Sequence, residues 1–361
     1  MTERVSRALL AALAISLLLS GCARPVFYRG PRSDHFDGHR FFNPDGERGS
    51  GGAQHETIWQ YLYRVTHERH TWPSFVPVTP SRPPARVDGG GMLVTWIGHS
   101  TVLVQADGLN ILTDPVWALR ASPVQWAGVK RVRAPGVRFA NLPRIDLVLL
   151  SHDHYDHMDM HSLKALWRRD RPLIVTGLGN EVRLAARDIP ARASDWGGTI
   201  HVRPGVDVIF ERAHHWSART EDDKNLTLWT GFTVTLPHGN LYFAGDTGAG
   251  DMRWAEEAAR HGPLRLALLP IGAIHANGVV TGNHIDPAEA VTAFRQLHAG
   301  SALGIHWGTF ELTDEPIELP PTLLRESLSA AHIAAGRFRV TEAGEAWAIP
   351  PIAPSPRPKL F

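Results

Sequence analysis

Ile145-Asp146-Leu147-Val148-Leu149-Leu150 runs directly into Ser151-His152-Asp153-His154-Tyr155-Asp156-His157, and the fold is decided at this junction. The first six residues are apolar apart from Asp146. Their unbroken run from Leu147 to Leu150 predicts a strand buried on both faces over most of its length. The next seven hold four candidate metal ligands, His152, His154, Asp156 and His157, in a loop at the strand's carboxyl end. His152 and His154 lie two apart, so extended backbone points both side chains the same way. Asp156 and His157 then turn toward a neighbouring point. A single tetrahedral metal with an open position cannot use all four, so the spacing predicts two adjacent metals. Histidine and carboxylate ligands without cysteine suit Zn2+, with Fe or Mn as alternatives.

Two metals need further ligands, and the chain offers them at the ends of other predicted strands. His215 follows a strand over 206–212, with His214 beside it as a competitor. Asp246 follows a strand over 241–244, between glycines that let backbone approach a metal closely. His306 ends a strand over 302–305. His284 stands just before Asp286-Pro287-Ala288-Glu289. That run opens a helix to about residue 297, with Asp286 as N-cap, Pro287 at N1 and Glu289 completing a capping box.

Further outward, residues 92–96, 101–106 and 109–112 read as short strands, the last two joined by an Asp107-Gly108 turn. Helices are predicted over 160–169, 252–261 and 323–335, and strands over 173–176, 226–236 and 264–270. Several strands followed by strand–helix alternation, twice over, indicate an α/β fold. Two mixed β-sheets face each other with helices on the outer faces, a four-layer αβ/βα sandwich. Residues 23 to about 55, rich in Arg, Gly, Pro and Asp, read as a solvated tether. Residues 57–65 read as a helix on the main domain, and the Pro-rich 77–88 as its boundary. The domain reading is a leader over 1–21, a tether and extension over 22–90, the main domain over 91–350 and a tail over 351–361.

With these residues in place, the chain resembles the metallo-β-lactamase superfamily, and within it the N-acylphosphatidylethanolamine-hydrolysing phospholipase D family. Besides the His-x-His-x-Asp-His loop, the likeness rests on Trp96-Ile97-Gly98-His99-Ser100-Thr101, Leu112-Thr113-Asp114-Pro115, and Gly128-Val129-Lys130-Arg131-Val132-Arg133. It continues through His215-Trp216 with Arg219-Thr220, Leu269-Pro270-Ile271-Gly272-Ala273, and His284-Ile285-Asp286-Pro287. The resemblance implies that His152, His154 and His215 hold one zinc and that Asp156, His157 and His306 hold the other. Asp246 would bridge them, and His284 would lie at the active site without being a ligand. It implies hydrolysis by a hydroxide shared between two Zn2+, with Asp156 and His284 as catalytic groups and a phospholipid or other phosphodiester as substrate. The chain departs from the family at residues 274–280, between Asp246 and His284, which puts the substrate in question.

Other residues of these stretches have bland and specific readings. His99 and Asp114 read as supports, Asp114 as a hydrogen-bonding anchor of the metal loop. Lys130, Arg131 and Arg133 read as a solvated charge run or as contacts to a phosphate or anionic headgroup. Trp117, Trp126 and Trp216 read as core or as the lining of an acyl cleft.

Net charge is +1 with no acidic or basic block, so no nucleic-acid partner is expected. Arg4 and Arg7 precede a short apolar run ending Leu19-Ser20-Gly21-Cys22. This reads as a bacterial lipoprotein signal, with Cys22 lipidated and the chain held to a membrane in the cell envelope, on the periplasmic face of the outer membrane. An ordinary signal peptide is the competing reading. Three functions follow as candidates: a phospholipase D-type phosphodiesterase, a lactonase or small phosphodiester hydrolase, and a non-catalytic metal-binding lipoprotein.

Overall fold

A computed structural model describes residues 26–46, 72–275 and 282–352. Cys22 with its leader, the helix expected over 57–65, most of the 274–280 loop and the tail beyond 352 lie outside the described residues. The strands are β1 (Met92–Gly98), β2 (Thr101–Ala106), β3 (Leu109–Thr113), β4 (Arg120–Ala121), β5 (Val129–Lys130) and β6 (Leu147–Leu150). Next come α1 (Met160–Asp170), β7 (Leu173–Gly177), α2 (Asn180–Ala185), β8 (Arg192–Ser194), β9 (Thr199–Arg203) and β10 (Val206–Glu211). The second half holds β11 (Gly231–Val234), β12 (Asn240–Phe243), α3 (Arg253–Ala259), β13 (Leu264–Pro270) and α4 (Pro287–Gln296). It closes with β14 (Ser301–Ile305), α5 (Leu319–Ala330), β15 (Phe338–Arg339) and β16 (Ala346–Ala348).

The strands form two seven-stranded mixed sheets, ordered β16-β1-β2-β3-β6-β7-β8 and β15-β14-β13-β12-β11-β10-β9, with β4 and β5 as a small separate ribbon. Strand β6 shows why the layers stack. Leu147 and Leu149 join the core between the sheets, with Val94, Phe210, Phe232 and Leu268. Val148 and Leu150 point to the other face, where Leu163 and Leu166 of α1 and Leu184 of α2 cover them. On the far side, Phe294 of α4 and Leu324 and Leu328 of α5 pack on the second sheet. The result is the four-layer αβ/βα sandwich that periodicity predicts. In both sheets the middle strands are parallel, β3–β6–β7 and β12–β13–β14. Their carboxyl ends therefore share one edge of the sandwich, where α/β folds place ligands.

Three expectations are corrected. The strand expected over 226–236 is confined to β11, because Leu228 N–H bonds Leu178 O and Thr230 N–H bonds Ser151 O. Residues 228–230 thus bind the loops that follow β7 and β6 of the first sheet instead of extending the second. The helix expected over 323–335 begins earlier, at Leu319, since prolines are tolerated in a helix's first turn, and it ends at Ala330. Residues 26–46 are not a solvated tether. Phe36 and Phe41 are buried beside Ala213, Leu228 and Trp229, so enough apolar area is removed from water to hold the segment down.

Candidate metal centre

The loop that leaves β6 turns because the backbone N–H groups of His157 and Met158 both bond back to His154 O, at 3.2 and 2.8 Å. This tight turn separates the first two histidines from the second pair of ligands. His152, His154 and His215 converge as one group, and Asp156, His157 and His306 converge as another that also includes His99. Within each group the ligand atoms lie within 4.8 Å of one another. Asp246 stands between them. Its Oδ2 is 3.1 Å from His157 Nε2 and 2.9 Å from His306 Nε2. The same oxygen is 3.9 Å from His152 Nε2 and 3.8 Å from His215 Nε2. His284 completes the ring of imidazoles, its Nδ1 4.0 Å from that oxygen.

Local backbone chemistry makes the approach possible. Gly245 has φ +63°, and a Cβ there would lie 2.6 Å from Ser151 Cβ, so only glycine lets the strand carrying Asp246 close on the metal loop. His99, Asp114 and His306 adopt φ of 54°, 30° and 60°. Strained non-glycine conformations of this kind persist where the surrounding structure enforces them, commonly at functional sites.

The far sides of the imidazoles are held by the protein. His157 Nδ1 lies 2.6 Å from Asp114 Oδ2, and His215 Nδ1 lies 2.8 Å from Asn283 O. His152 Nδ1 lies 2.9 Å from Ser151 Oγ. With Nδ1 so engaged, each ring offers Nε2 to the centre, the arrangement metal-binding histidines use. His99 Nε2 lies 2.9 Å from Asp156 Oδ2 and orients that carboxylate.

Buried His154 Nε2 and Asp246 Oδ1 have no hydrogen-bond partner among the described residues, and His157 Nε2 and His306 Nε2 reach only carboxylate oxygens, without hydrogen-bond geometry. Each such atom costs about 1–3 kcal/mol in a folded protein. A divalent cation would satisfy all of them, and the nitrogen and carboxylate donor set is the one borderline metals take, so these residues fit a metal.

The electrostatics agree. Burial opposes charge on Asp246, but His157 and His306 outweigh it and hold the carboxyl well below its usual range. For His306, burial pulls the imidazole down, while Asp246 and Asp156 overcome this and push it up to about 9. Burial first, then His157, His154 and His215, pushes His152 well below its ordinary value. Burial likewise brings His284 down to about 4, against Asp246. The cluster thus pairs anionic carboxylates with imidazoles at which proton and metal compete for the same lone pairs.

The structure separates His214 from His215. His214 Nδ1 turns away to Asp45 Oδ2 at 2.9 Å, and His215 faces the centre. Arg131 and Arg133 are not a solvated run, and Arg133 also meets the Glu342 carboxylate at 3.1 Å. Both are buried. Arg131 donates to Val116 O at 2.8 Å and Arg133 to Gly308 O at 2.9 Å. Burial brings the Arg131 guanidinium down to about 10. Lys130 is exposed. Trp216 sits edge-on to His154 at 4.3 Å, Trp117 donates to Val137 O, and Trp126 is 82% exposed.

Sequence reasoning missed several supports. Asn43 donates to His215 O at 2.9 Å from the segment read as tether, and no local pattern announces that contact. Arg219 donates to Asp153 O and Met158 O, both at 2.9 Å, bracing the metal loop from outside. Buried Glu315 accepts from Ala273 N–H at 3.2 Å and is pushed up to about 7 by burial.

Comparison with known proteins agrees with this geometry. The family model described as "Beta-lactamase superfamily domain" matches residues 109–307. N-acyl-phosphatidylethanolamine-hydrolyzing phospholipase D 1 of Caenorhabditis elegans is 35% identical over 269 residues, covering 71% of this chain and 76% of that protein. An uncharacterized protein of Mycobacterium tuberculosis is 35% identical over 282 residues, covering 76% and 74%. Among solved structures, Igni18, a metallo hydrolase of Ignicoccus hospitalis, superimposes with a TM-score of 0.54 at 23% identity, covering 72% of this chain and 99% of that one. Isothiocyanate hydrolase from Delia radicum gut bacteria superimposes at 0.56 and 19% identity, covering 72% and 99%, a likeness of fold. A sandwich of this topology, with its histidines and aspartates gathered at the strands' carboxyl edge, makes the chain a metal-dependent hydrolase that belongs to the β-lactamase superfamily, akin to the N-acylphosphatidylethanolamine-hydrolysing phospholipases D.

Proposed function

We propose that the protein is a zinc-dependent phosphodiesterase of phospholipase D type, acting on N-acylphosphatidylethanolamine-like phospholipids and holding two Zn2+. The observation that carries this reading is Asp246 Oδ2, set between two three-residue ligand groups. A carboxylate so placed suits two neighbouring cations better than one. His152, His154 and His215 would hold one ion, and Asp156, His157 and His306 the other. The relative of C. elegans, named for hydrolysis of N-acylphosphatidylethanolamine, supports the lipid substrate.

When bound, such a metal pair polarises the phosphoryl oxygen and lowers the pKa of water toward ~7. The protein's own groups do the rest. Asp156 Oδ2, fixed by His99 Nε2 at 2.9 Å, orients the attacking water and accepts its proton. Water oxygen bonds to phosphorus as the bond from phosphorus to the amide-alcohol oxygen breaks. His284, with Nδ1 unpartnered and burial holding its ring largely neutral, is placed to contact the phosphate and to relay a proton to the departing oxygen. The products are a phosphatidic acid and an N-acylethanolamine. Lipidation at Cys22, in a bacterial envelope, would keep the enzyme at its substrate's surface.

The test is product analysis with the purified full chain on N-acylated phosphatidylethanolamine, a cyclic phosphodiester and a lactone, with metal analysis alongside. Release of phosphatidic acid, with about two zinc per chain, is expected. Lactone or cyclic diester turnover without phospholipid turnover would move the reading to those substrates. Bound zinc with no hydrolysis of any of the three would leave a metal-binding protein.

A further inference from the structure

Behind the metal loop lies a cavity of about 290 Å³, lined by Tyr155 of that loop and by Arg120, Lys164, Arg168, Arg187 and Arg219. Its one lining carboxylate is already engaged. Asp159 Oδ1 accepts from His161 N–H at 3.0 Å, and Oδ2 accepts from Ser162 Oγ at 2.6 Å and Ala118 N–H at 3.0 Å. Lys164 reaches Asp188 at 3.3 Å, but that carboxylate is 91% exposed and stands in water, where such pairs contribute little. Arg168 and Arg187 have no side-chain hydrogen bond or carboxylate partner among the described residues, and the buried Nε of Arg120 has none either.

Five cations around one small polar cavity stand out in a chain whose net charge is +1. Gathering them around a single lining carboxylate costs mutual repulsion.

We propose that this cavity is an anion-binding subsite that takes a phosphate monoester. Arg168 and Arg187 present free planar forks, which match phosphate oxygens in bidentate fashion where lysine acts as a point charge. The volume of about 290 Å³ admits a phosphate head with a short attachment. Arg219 ties the cavity to the catalytic loop, with its guanidinium 3.8 Å over the Tyr155 ring, and Tyr155 lies between His154 and Asp156 in the chain. The subsite stands whether or not the metal centre holds two zinc ions.

The ligand could be the head of a lipid phosphate or a free phosphate, and the experiment separates them. Equilibrium dialysis of the full chain with radiolabelled inorganic phosphate is measured for the unmodified protein, Arg168→Gln/Arg187→Gln, Arg187→Glu and Asp246→Asn. Both arginines are exposed, so those variants should fold, and a thermal melt checks this. The subsite predicts at least tenfold weaker binding in the arginine variants, with a phosphate site retained in Asp246→Asn. Phosphate binding that is unchanged in both arginine variants and lost in Asp246→Asn would place the anion at the metal centre and overturn the proposal. Once binding is established, arginine-dependent retention on vesicles of phosphatidic acid over phosphatidylcholine assigns a lipid head. Equal retention on both vesicles assigns a soluble phosphate.

Discussion

Asp114 Oδ2 lies 2.6 Å from His157 Nδ1, and the same carboxylate receives both the backbone N–H of Ser151 at 2.8 Å and its hydroxyl at 2.6 Å. One side chain thereby ties the start of the metal loop to a ligand six positions later. In Asp114→Asn an amide replaces one of the acceptor oxygens, so Ser151 or His157 loses its partner. Metal affinity should fall about 10–100-fold with the fold retained. Competition against a chelating dye measures this, and an unchanged affinity would refute the anchoring role.

Asp246→Ala removes the oxygen shared by both ligand groups. Metal content and hydrolysis should drop together, the rate on the order of a thousandfold, about 4 kcal/mol of barrier. Elemental analysis and initial rates test it. Full turnover in the variant would contradict the placement of Asp246 at the centre.

Glu315 is buried and pushed up to about 7, chiefly by burial. Its folded-state pKa exceeds the unfolded value of about 4.3, so the native state holds the proton more tightly. Stability is therefore fully present below about pH 4 and falls as pH rises toward 7, by up to roughly 3 kcal/mol. Glu315→Gln cannot ionise, and it should flatten this fall between pH 5 and 7. Urea unfolding at the two pH values reads the difference. Parallel pH dependence in protein and variant would exclude Glu315 as its source.

Phe41 packs against Phe36 at 4.7 Å between ring centres and is buried two residues before Asn43, which holds His215. Phe41→Ala should destabilise the protein by about 3 kcal/mol through the lost burial and the cavity left behind. Through Asn43 it should also weaken metal binding. Denaturant unfolding and the dye competition test both effects.

The metal loop was legible because its chemistry is local. The unbroken apolar run of β6 and the close spacing of His152, His154, Asp156 and His157 can be read within thirteen residues. Predicted strand ends then pointed to His215, Asp246 and His306, the resemblance assigned their roles, and the sandwich brings all of them to one edge. Local reading failed where a neighbour far along the chain decided the outcome. Residues 228–230 left the second sheet because Leu178 and Ser151 took their N–H groups. Arg131 and Arg133 look like a surface run, yet they are buried because carbonyls from Val116 and Gly308 accept their protons.

By itself the sequence determined which residues could ligate a metal and which strands would be buried, since both follow from side-chain type and periodicity along a short stretch. Only the tertiary structure decided that one oxygen of Asp246 faces both histidine groups, that Asp114 secures His157, and that five cations line a single cavity. Those are distances between segments far apart in the chain, set by how two sheets pack, and no local pattern encodes them.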